Sequence, residues 1–247
     1  MSQLAVAVFI SQLSVRILVA ICGFFFAALI ARADNAALLE QQREVWTQAI
    51  VKIEVPIVRS IDGYPHHFIE RCSATVISPG PNALLISAWH CFDGLDLLAT
   101  SATVITDDGP MALELLASGG SMLEDWALLR TRSNWMPSAW IPASRTPADR
   151  GTRVSAAGFA GPSESERAPA DNIPQRTLLI DPDCRVTETG SLPVATNCVV
   201  RQGASGGAIL GRTPSGSYRV FGVISSGDGE SVSYFYPADL LSSKLNP

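Results

Sequence analysis

Short apolar runs rich in β-branched residues recur along most of the chain, and turn-forming residues separate them. This alternation is typical of strands rather than helices. The predicted strands are 49–58, 72–77, 84–87, 102–105, 126–130, 153–158, 177–180, 194–200, 208–210 and 218–225. No helical periodicity lies between consecutive runs, which argues against a parallel α/β sheet. The pattern therefore predicts an all-β sandwich or barrel.

The beginning of the chain departs from this pattern. Arg16 precedes an apolar run over residues 17–30, and Ala31-Arg32-Ala33 follows the run. A positive charge, an apolar core and an A-x-A site form the layout of a secretory signal peptide, which we place at residues 1–33. An uncleaved membrane anchor is the alternative, although the run is short for a spanning helix.

The rest of the chain divides at a linker. Residues 135–150 are rich in proline, serine and polar side chains, with little strand pattern. We therefore predict one β domain over residues 49–140 and a second over residues 141–247. Residues 34–48 form an N-terminal segment before the first domain, and residues 237–245 predict a short terminal helix.

Charge and cysteine content narrow the range of functions. The formal net charge is −5 and no basic run occurs, so we expect neither a nucleic-acid partner nor a polybasic membrane contact. Four cysteines follow the predicted signal peptide: Cys72, Cys91, Cys184 and Cys198. An even number in an oxidising compartment predicts two disulfides. Zinc is the alternative, but the chain has no C-x-x-C pair, so we predict neither a metal nor a cofactor.

One serine lies among three glycines in Gly203-Ala204-Ser205-Gly206-Gly207, directly before an apolar run. Glycines there allow a tight turn that presents the hydroxyl beside backbone N–H groups, as acyl transfer requires. The same letters also fit the nucleophile elbow of α/β-hydrolases, or a plain glycine-rich hairpin. The elbow needs a histidine after the serine. Here His66, His67 and His90 all precede it.

Earlier in the chain, a histidine and an acid each lie at one end of a predicted strand. His90 comes directly after an apolar strand, and Asp125 comes directly before another. Taken singly, such a histidine is more often structural, and such an acid is ordinarily a solvated turn residue. The order His90, Asp125, Ser205 changes both interpretations, because a base, an orienting acid and a nucleophile are the groups that acyl transfer uses.

Three motifs together resemble the trypsin/chymotrypsin-like serine peptidases. They are Ser87-Ala88-Trp89-His90-Cys91, Asp125-Trp126-Ala127-Leu128-Leu129 and Gly203-Ala204-Ser205-Gly206-Gly207. Their order matches this family and differs from that of subtilisins and α/β-hydrolases. The resemblance covers roughly residues 49–245, and Trp89 departs from the family's usual small residue.

The residue before the serine resembles one branch of this family. Many members have an acid there, which pairs with a newly freed N-terminal amine. Ala204 has no carboxylate, as in the bacterial secreted, glutamyl-endopeptidase-like branch. A buried ammonium would lack a partner. We therefore expect activity without insertion of an N-terminal amine.

The resemblance implies a fold and a set of roles. The fold is all-β, with two six-stranded antiparallel β-barrels, the active site in the cleft between them and a short C-terminal helix. Ser205 would be the nucleophile, and His90 the general base and then the acid. Asp125 would orient His90, and the N–H groups of Gly203 and Ser205 would form the oxyanion hole.

The resemblance also implies disulfides and a substrate pocket. The disulfides are Cys72–Cys91 and Cys184–Cys198, each within one predicted barrel. The substrate-binding residues are Val199, Val200, Ile224, Ser225, Ser226 and Gly227. Ser225 would also accept a hydrogen bond near Asp125. The pocket has no carboxylate, so it predicts a small or medium apolar side chain before the scissile bond.

These observations predict a secreted or periplasmic serine endopeptidase that acts on proteins or peptides as a monomer. After signal cleavage, we expect no stable membrane association. Two other functions remain open: a catalytically inactive binding protein of trypsin-like fold, and an esterase with the same triad. A fluorophosphonate label on Ser205 separates the binding protein from both enzymes, and protein cleavage separates the two enzymes.

Overall fold

The computed structural model describes residues 45–95, 101–132, 134–161 and 176–241. The first six strands are β1 (Ile50–Ile61), β2 (Tyr64–Val76), β3 (Leu84–Ser87), β4 (Thr103–Thr106), β5 (Gly109–Ser118) and β6 (Ala127–Thr131). The next six are β7 (Arg153–Ala160), β8 (Thr177–Glu188), β9 (Val194–Thr196), β10 (Ala208–Arg212), β11 (Tyr218–Gly227) and β12 (Ser233–Pro237). Single 3₁₀ turns lie at Trp89–Phe92 and Ala238–Leu241.

Each set of six strands closes into its own antiparallel barrel. The order around the first barrel is β1-β2-β3-β6-β5-β4, and around the second it is β10-β11-β12-β9-β8-β7. The predicted fold of two six-stranded antiparallel barrels is therefore confirmed. Among the described residues, the predicted terminal helix is the one 3₁₀ turn at Ala238–Leu241, where Leu241 is buried.

Alternating side chains explain why the sequence forms these strands. In β1, Ile53, Val55 and Ile57 are almost fully buried, whereas Glu54 and Pro56 between them are partly exposed. A period of two buries one face of a strand and leaves the other in contact with solvent. β1 uses both edges, pairing with β2 along its whole length and with β4 over three residues, and thereby helps close the barrel.

Two strands were missing from the predicted pattern, and a third was too short. β5 and β12 were not predicted, and β2 begins at Tyr64 rather than at residue 72. The added half of β2 is largely exposed. Its apolar residues Tyr64, Phe68 and Ile69 are exposed, so no alternation of buried and exposed positions marks it as a strand. The strand that pairs with it in the described part of the chain is β1.

The segment between the barrels makes backbone contacts with both of them. Ile141 is buried, and its N–H donates to the Val76 carbonyl of the first barrel at 2.9 Å. Three residues later, the Ser144 N–H donates to the Val220 carbonyl of the second barrel at 2.8 Å. The connection thus contacts both barrels through its own backbone.

The compact unit that contains both barrels begins at Trp46. Trp46 is buried, and its ring lies 5.2 Å from that of Tyr218 on β11. The last residues of the predicted N-terminal segment therefore pack onto β11. The predicted signal peptide and the rest of that segment lie outside the described residues. No helix among residues 45–95, 101–132, 134–161 and 176–241 has the length and apolar content that crossing a bilayer requires.

The structure contains both expected disulfides. Cys72–Cys91 joins β2 to the 3₁₀ turn after β3, and Cys184–Cys198 joins β8 to the segment after β9. All four bridged cysteines are buried. Each bridge therefore connects two elements of a single barrel.

We expect removal of either bridge by paired Cys→Ala substitution to lower the free energy of unfolding by about 2–4 kcal/mol, because the unfolded chain regains loop entropy. The sequence separations are 19 and 14 residues. Loop entropy predicts that the two losses differ by only about 0.3 kcal/mol. Urea denaturation of the two double variants measures both. Non-reducing peptide mapping that recovered a Cys91–Cys184 peptide would contradict the pairing.

Candidate active site

Asp125 is the buried anchor of the site. It lies just before β6 with a fully buried side chain. Its Oδ1 accepts a hydrogen bond from the His90 backbone N–H at 2.9 Å, and its Oδ2 accepts from His90 Nδ1–H at 2.8 Å. Burial raises the pKa of the carboxyl, but the hydrogen bonds from His90 and Ser225 outweigh it and hold the pKa below its usual range. Asp125 is therefore ionised at neutral pH.

His90 is fixed by its neighbour in the chain and by its hydrogen bonds to Asp125. It lies in the 3₁₀ turn Trp89–Phe92, directly after β3, and the Cys72–Cys91 bridge fixes the next residue to β2. Because Nδ1–H donates to Asp125, the other ring nitrogen is left to accept a proton. The side chain is 28% exposed, so a substrate can reach it.

Ser205 lies in the loop between β9 and β10, beside two backbone donors. In this loop the N–H groups of Ala204, Gly206 and Gly207 all donate to backbone carbonyls. Those of Gly203 and Ser205 donate to none within the described residues. Two unpaired donors next to a serine hydroxyl are what an oxyanion hole requires.

The loop that carries Ser205 is bound to the first barrel. The Ser73 N–H of β2 donates to the Ser205 carbonyl at 2.8 Å, and Ser87 Oγ donates to the Ser73 carbonyl at 2.7 Å. Ser73 and Ser87 are fully buried. The serine therefore lies where the two barrels meet.

Ser225 joins the acid and the serine. Its hydroxyl donates to Asp125 Oδ2, so Ser225 is a donor to this carboxylate rather than the expected acceptor. Its backbone carbonyl accepts a hydrogen bond from Ser205 Oγ at 3.4 Å. Within the described residues, Ser205 Oγ makes no hydrogen bond to His90. Catalytic contacts of this kind are often long without substrate and tighten when it binds.

The predicted substrate-binding residues occupy different environments. Ile224 and Val200 are buried in the core of the second barrel, whereas Val199 is 40% exposed. Ser226 and Gly227 lie at the exposed end of β11. A Cβ built on Gly227 would lie 2.5 Å from the Val200 side chain, so a larger residue at position 227 would require Val200 to move.

The cysteines beside His90 cannot serve as thiolate ligands. One donor atom each from Cys72, His90 and Cys91 lies within 4.8 Å of the others. The two sulfurs are bonded to each other, however, and a metal binds the free thiolate.

Comparison with known proteins identifies solved structures that have a similar fold. No protein-family model matches the chain, and no curated protein matches it either. The solved structure of the Rv3671c protease from M. tuberculosis in its active form aligns with a TM-score of 0.57 at 18% identity, covering 83% of this chain and 82% of that chain. The inactive form of a serine-to-alanine mutant of Rv3671c from M. tuberculosis H37Rv aligns with a TM-score of 0.52 at 18% identity, covering 83% and 89%. At this identity the similarity concerns the fold.

Proposed function

We propose that this protein is a serine endopeptidase with Ser205, His90 and Asp125 as its catalytic triad. The observation that carries the proposal is a continuous hydrogen-bonded network. Asp125, fully buried, accepts from His90 and from Ser225, and the carbonyl of Ser225 accepts from Ser205. The similarity in fold to a protease supports the same reaction class.

The chemistry follows from these positions. Ser205 Oγ attacks the scissile carbonyl carbon while His90 Nε2 takes its proton, and the carbonyl oxygen becomes an oxyanion that the Gly203 and Ser205 N–H groups bind. Collapse of this intermediate breaks the C–N bond, and His90 returns the proton to the leaving amine. Water then hydrolyses the acyl-enzyme by the same steps. Asp125 holds the tautomer of His90 and stabilises its imidazolium form.

Substrate binding and location complete the proposal. The end of β11 at Ser225-Ser226-Gly227 would pair with an extended substrate as an added strand. Two disulfides indicate an oxidising compartment, which supports secretion or a periplasmic location. Membership of the glutamyl-endopeptidase-like branch is part of the proposal, and Ala204 is its only support.

Fluorophosphonate labelling tests the proposal, because the reagent reacts with an activated serine. We expect one label per chain, on the peptide that contains Ser205, and none in the Ser205→Ala variant. A wild-type protein that stays unlabelled would identify a binding protein. A protein that takes the label and cleaves small esters, but no member of a peptide library, would identify an esterase.

We expect the residues around Gly227 to receive the side chain before the scissile bond and to prefer a small or medium apolar one. A Cβ on Gly227 would meet the Val200 side chain at 2.5 Å and the Ser233 Cβ at 3.2 Å, so these two residues leave little room beside Gly227. Val200→Ala removes two carbons there, and we expect kcat/KM for leucine relative to alanine to rise about 10-fold or more. The more exposed Val199 should shift this ratio less when it is replaced by alanine. Strict cleavage after arginine or lysine in a peptide library would refute this pocket.

A further inference from the structure

Arg176 places a guanidinium directly behind the loop that carries Ser205. It lies just before β8. Its Nη2 donates to the Gly203 carbonyl at 2.6 Å and to the Phe159 carbonyl at 2.7 Å, and its Nη1 donates to the Cys72 carbonyl at 2.9 Å. The Arg176 side chain thus joins the first barrel, β7 and the loop that carries Ser205, which we call the serine loop.

This cation has no carboxylate partner among the described residues. Burial and, to a lesser extent, the neighbouring Arg71 lower the pKa of Arg176 to about 10, against the raising effect of Glu54 and Glu70. The guanidinium is therefore still charged at neutral pH. Burying a charge without an opposite charge is costly. In return, the guanidinium supplies several charged N–H donors in a rigid planar arrangement. Charged donors bind carbonyl oxygens more strongly than neutral donors do.

The contacts fix both carbonyls that flank the Gly203 α-carbon. The Gln202 carbonyl accepts from the Gly161 N–H at 3.2 Å. The Gly203 carbonyl accepts from Arg176, and also from Ser73 Oγ at 3.0 Å. The Gly203 N–H shares a peptide plane with the Gln202 carbonyl and points away from it. The Gly203 carbonyl belongs to the next peptide plane, so Arg176 and Ser73 limit rotation about the α-carbon that joins the two planes. Holding both planes keeps the direction of the Gly203 N–H fixed.

Gly203 needs such support because its own backbone is permissive. Its φ is +94°, in a region where glycine rotates with little steric penalty. Ala204, the next residue, has no carboxylate with which to anchor the loop. The anchoring contacts come instead from Arg176, Ser73 and Gly161.

We propose that Arg176 is a positioning residue that keeps the Gly203 N–H aimed at the oxyanion. The inference rests on the proposed peptidase activity. It assigns to Arg176, which lies outside the loop that carries Ser205, a part in shaping the oxyanion hole. In this role Arg176 acts through the Gly203 carbonyl rather than on the substrate, so we expect its effect in the transition state rather than in substrate binding.

Steady-state kinetics of Arg176→Met test this role on a peptide from the library. We expect kcat to fall about 10- to 100-fold, less than the loss of an oxyanion donor itself, with KM changed by less than about 3-fold. Affinity for a peptide boronic acid, which forms a tetrahedral adduct, should fall by the same factor as kcat. Arg176→Lys keeps the charge but cannot reach three carbonyls together, so it should lie between wild type and Arg176→Met.

The matched control is Arg153→Met, which removes an exposed arginine whose ion pair, among the described residues, is with the exposed Asp183. It should change kcat by less than about 2-fold, since surface pairs contribute little. If Arg176→Met is less stable but retains wild-type kcat at a temperature where it is folded, Arg176 only joins the barrels and the inference is overturned. If Arg176→Met does not fold, a wild-type kcat in Arg176→Lys overturns it equally. A wild-type protein that neither cleaves peptides nor takes the label would instead overturn the proposed function and this inference together.

Discussion

Replacing Ser205 with alanine is expected to lower kcat for peptide hydrolysis by about 10⁵- to 10⁶-fold. The hydroxyl supplies the bond-forming atom, and no neighbouring group can replace it. Its only described hydrogen bond is the 3.4 Å contact to the Ser225 carbonyl, so its loss should change the free energy of unfolding by less than about 1 kcal/mol. Steady-state kinetics on a library-derived peptide and urea denaturation measure the two effects separately.

The other two positions of the proposed triad should respond as parts of one unit. His90→Ala should cost nearly as much as Ser205→Ala, and the double variant little more than either single one. Asp125→Asn should lower kcat about 10⁴-fold, because an amide facing Nδ1 favours the wrong tautomer. Ser215→Ala, on the exposed turn before β11, is the matched control and should retain wild-type turnover. Wild-type turnover by Ser205→Ala would rule out the assignment.

The residues of the candidate site could be predicted because each lies in a local motif. His90 follows a short apolar strand, Asp125 precedes one, and Ser205 lies among glycines that permit a tight turn. Such signals extend over five or six residues, so a single sequence reveals them. Their order along the chain then supplied what no motif alone could, because three unrelated arrangements of the same triad have three different orders.

The strands that escaped prediction lack a clear alternating pattern. β5 contains Met111, Leu113, Glu114 and Leu115, which are residue types favoured in helices, and a bulge after Leu115 shifts its register. β12 has only five residues and ends in proline. Both strands form because neighbouring strands already offer edges for pairing, and this is a tertiary effect that local propensity does not contain.

The contacts behind the loop that carries Ser205 could not be predicted for a related reason. Arg176 contacts the carbonyl of Cys72, which is 104 residues away, and that of Gly203, which is 27 residues away. Ser73 is a buried hydroxyl on an apolar strand and carries no motif of its own. Only the closure of both barrels brings these groups to one point.

Closure of the barrels also leaves no room for a side chain at Gly206 in the serine loop. We expect Gly206→Ala to lower the free energy of unfolding by about 2–5 kcal/mol, from left-handed backbone strain and overpacking together. Gly206 has a φ of +81°, and a Cβ built there would lie 2.2 Å from both the Ser73 carbonyl oxygen and Ser87 Oγ. These two atoms are hydrogen-bonded to each other within the first barrel, and the N–H of the same Ser73 donates to the Ser205 carbonyl of the loop.

Gly216→Ala separates the two contributions. Gly216 has a φ of +86°, close to that of Gly206, but nothing lies within 4 Å of a Cβ built on it. This variant should lose only the strain of a left-handed alanine, about 1–2 kcal/mol. The difference between the variants in urea denaturation therefore measures the contact between the serine loop and the first barrel. Equal losses in the two variants would mean that the barrels yield at this contact, and that Gly206 is needed for its backbone conformation alone.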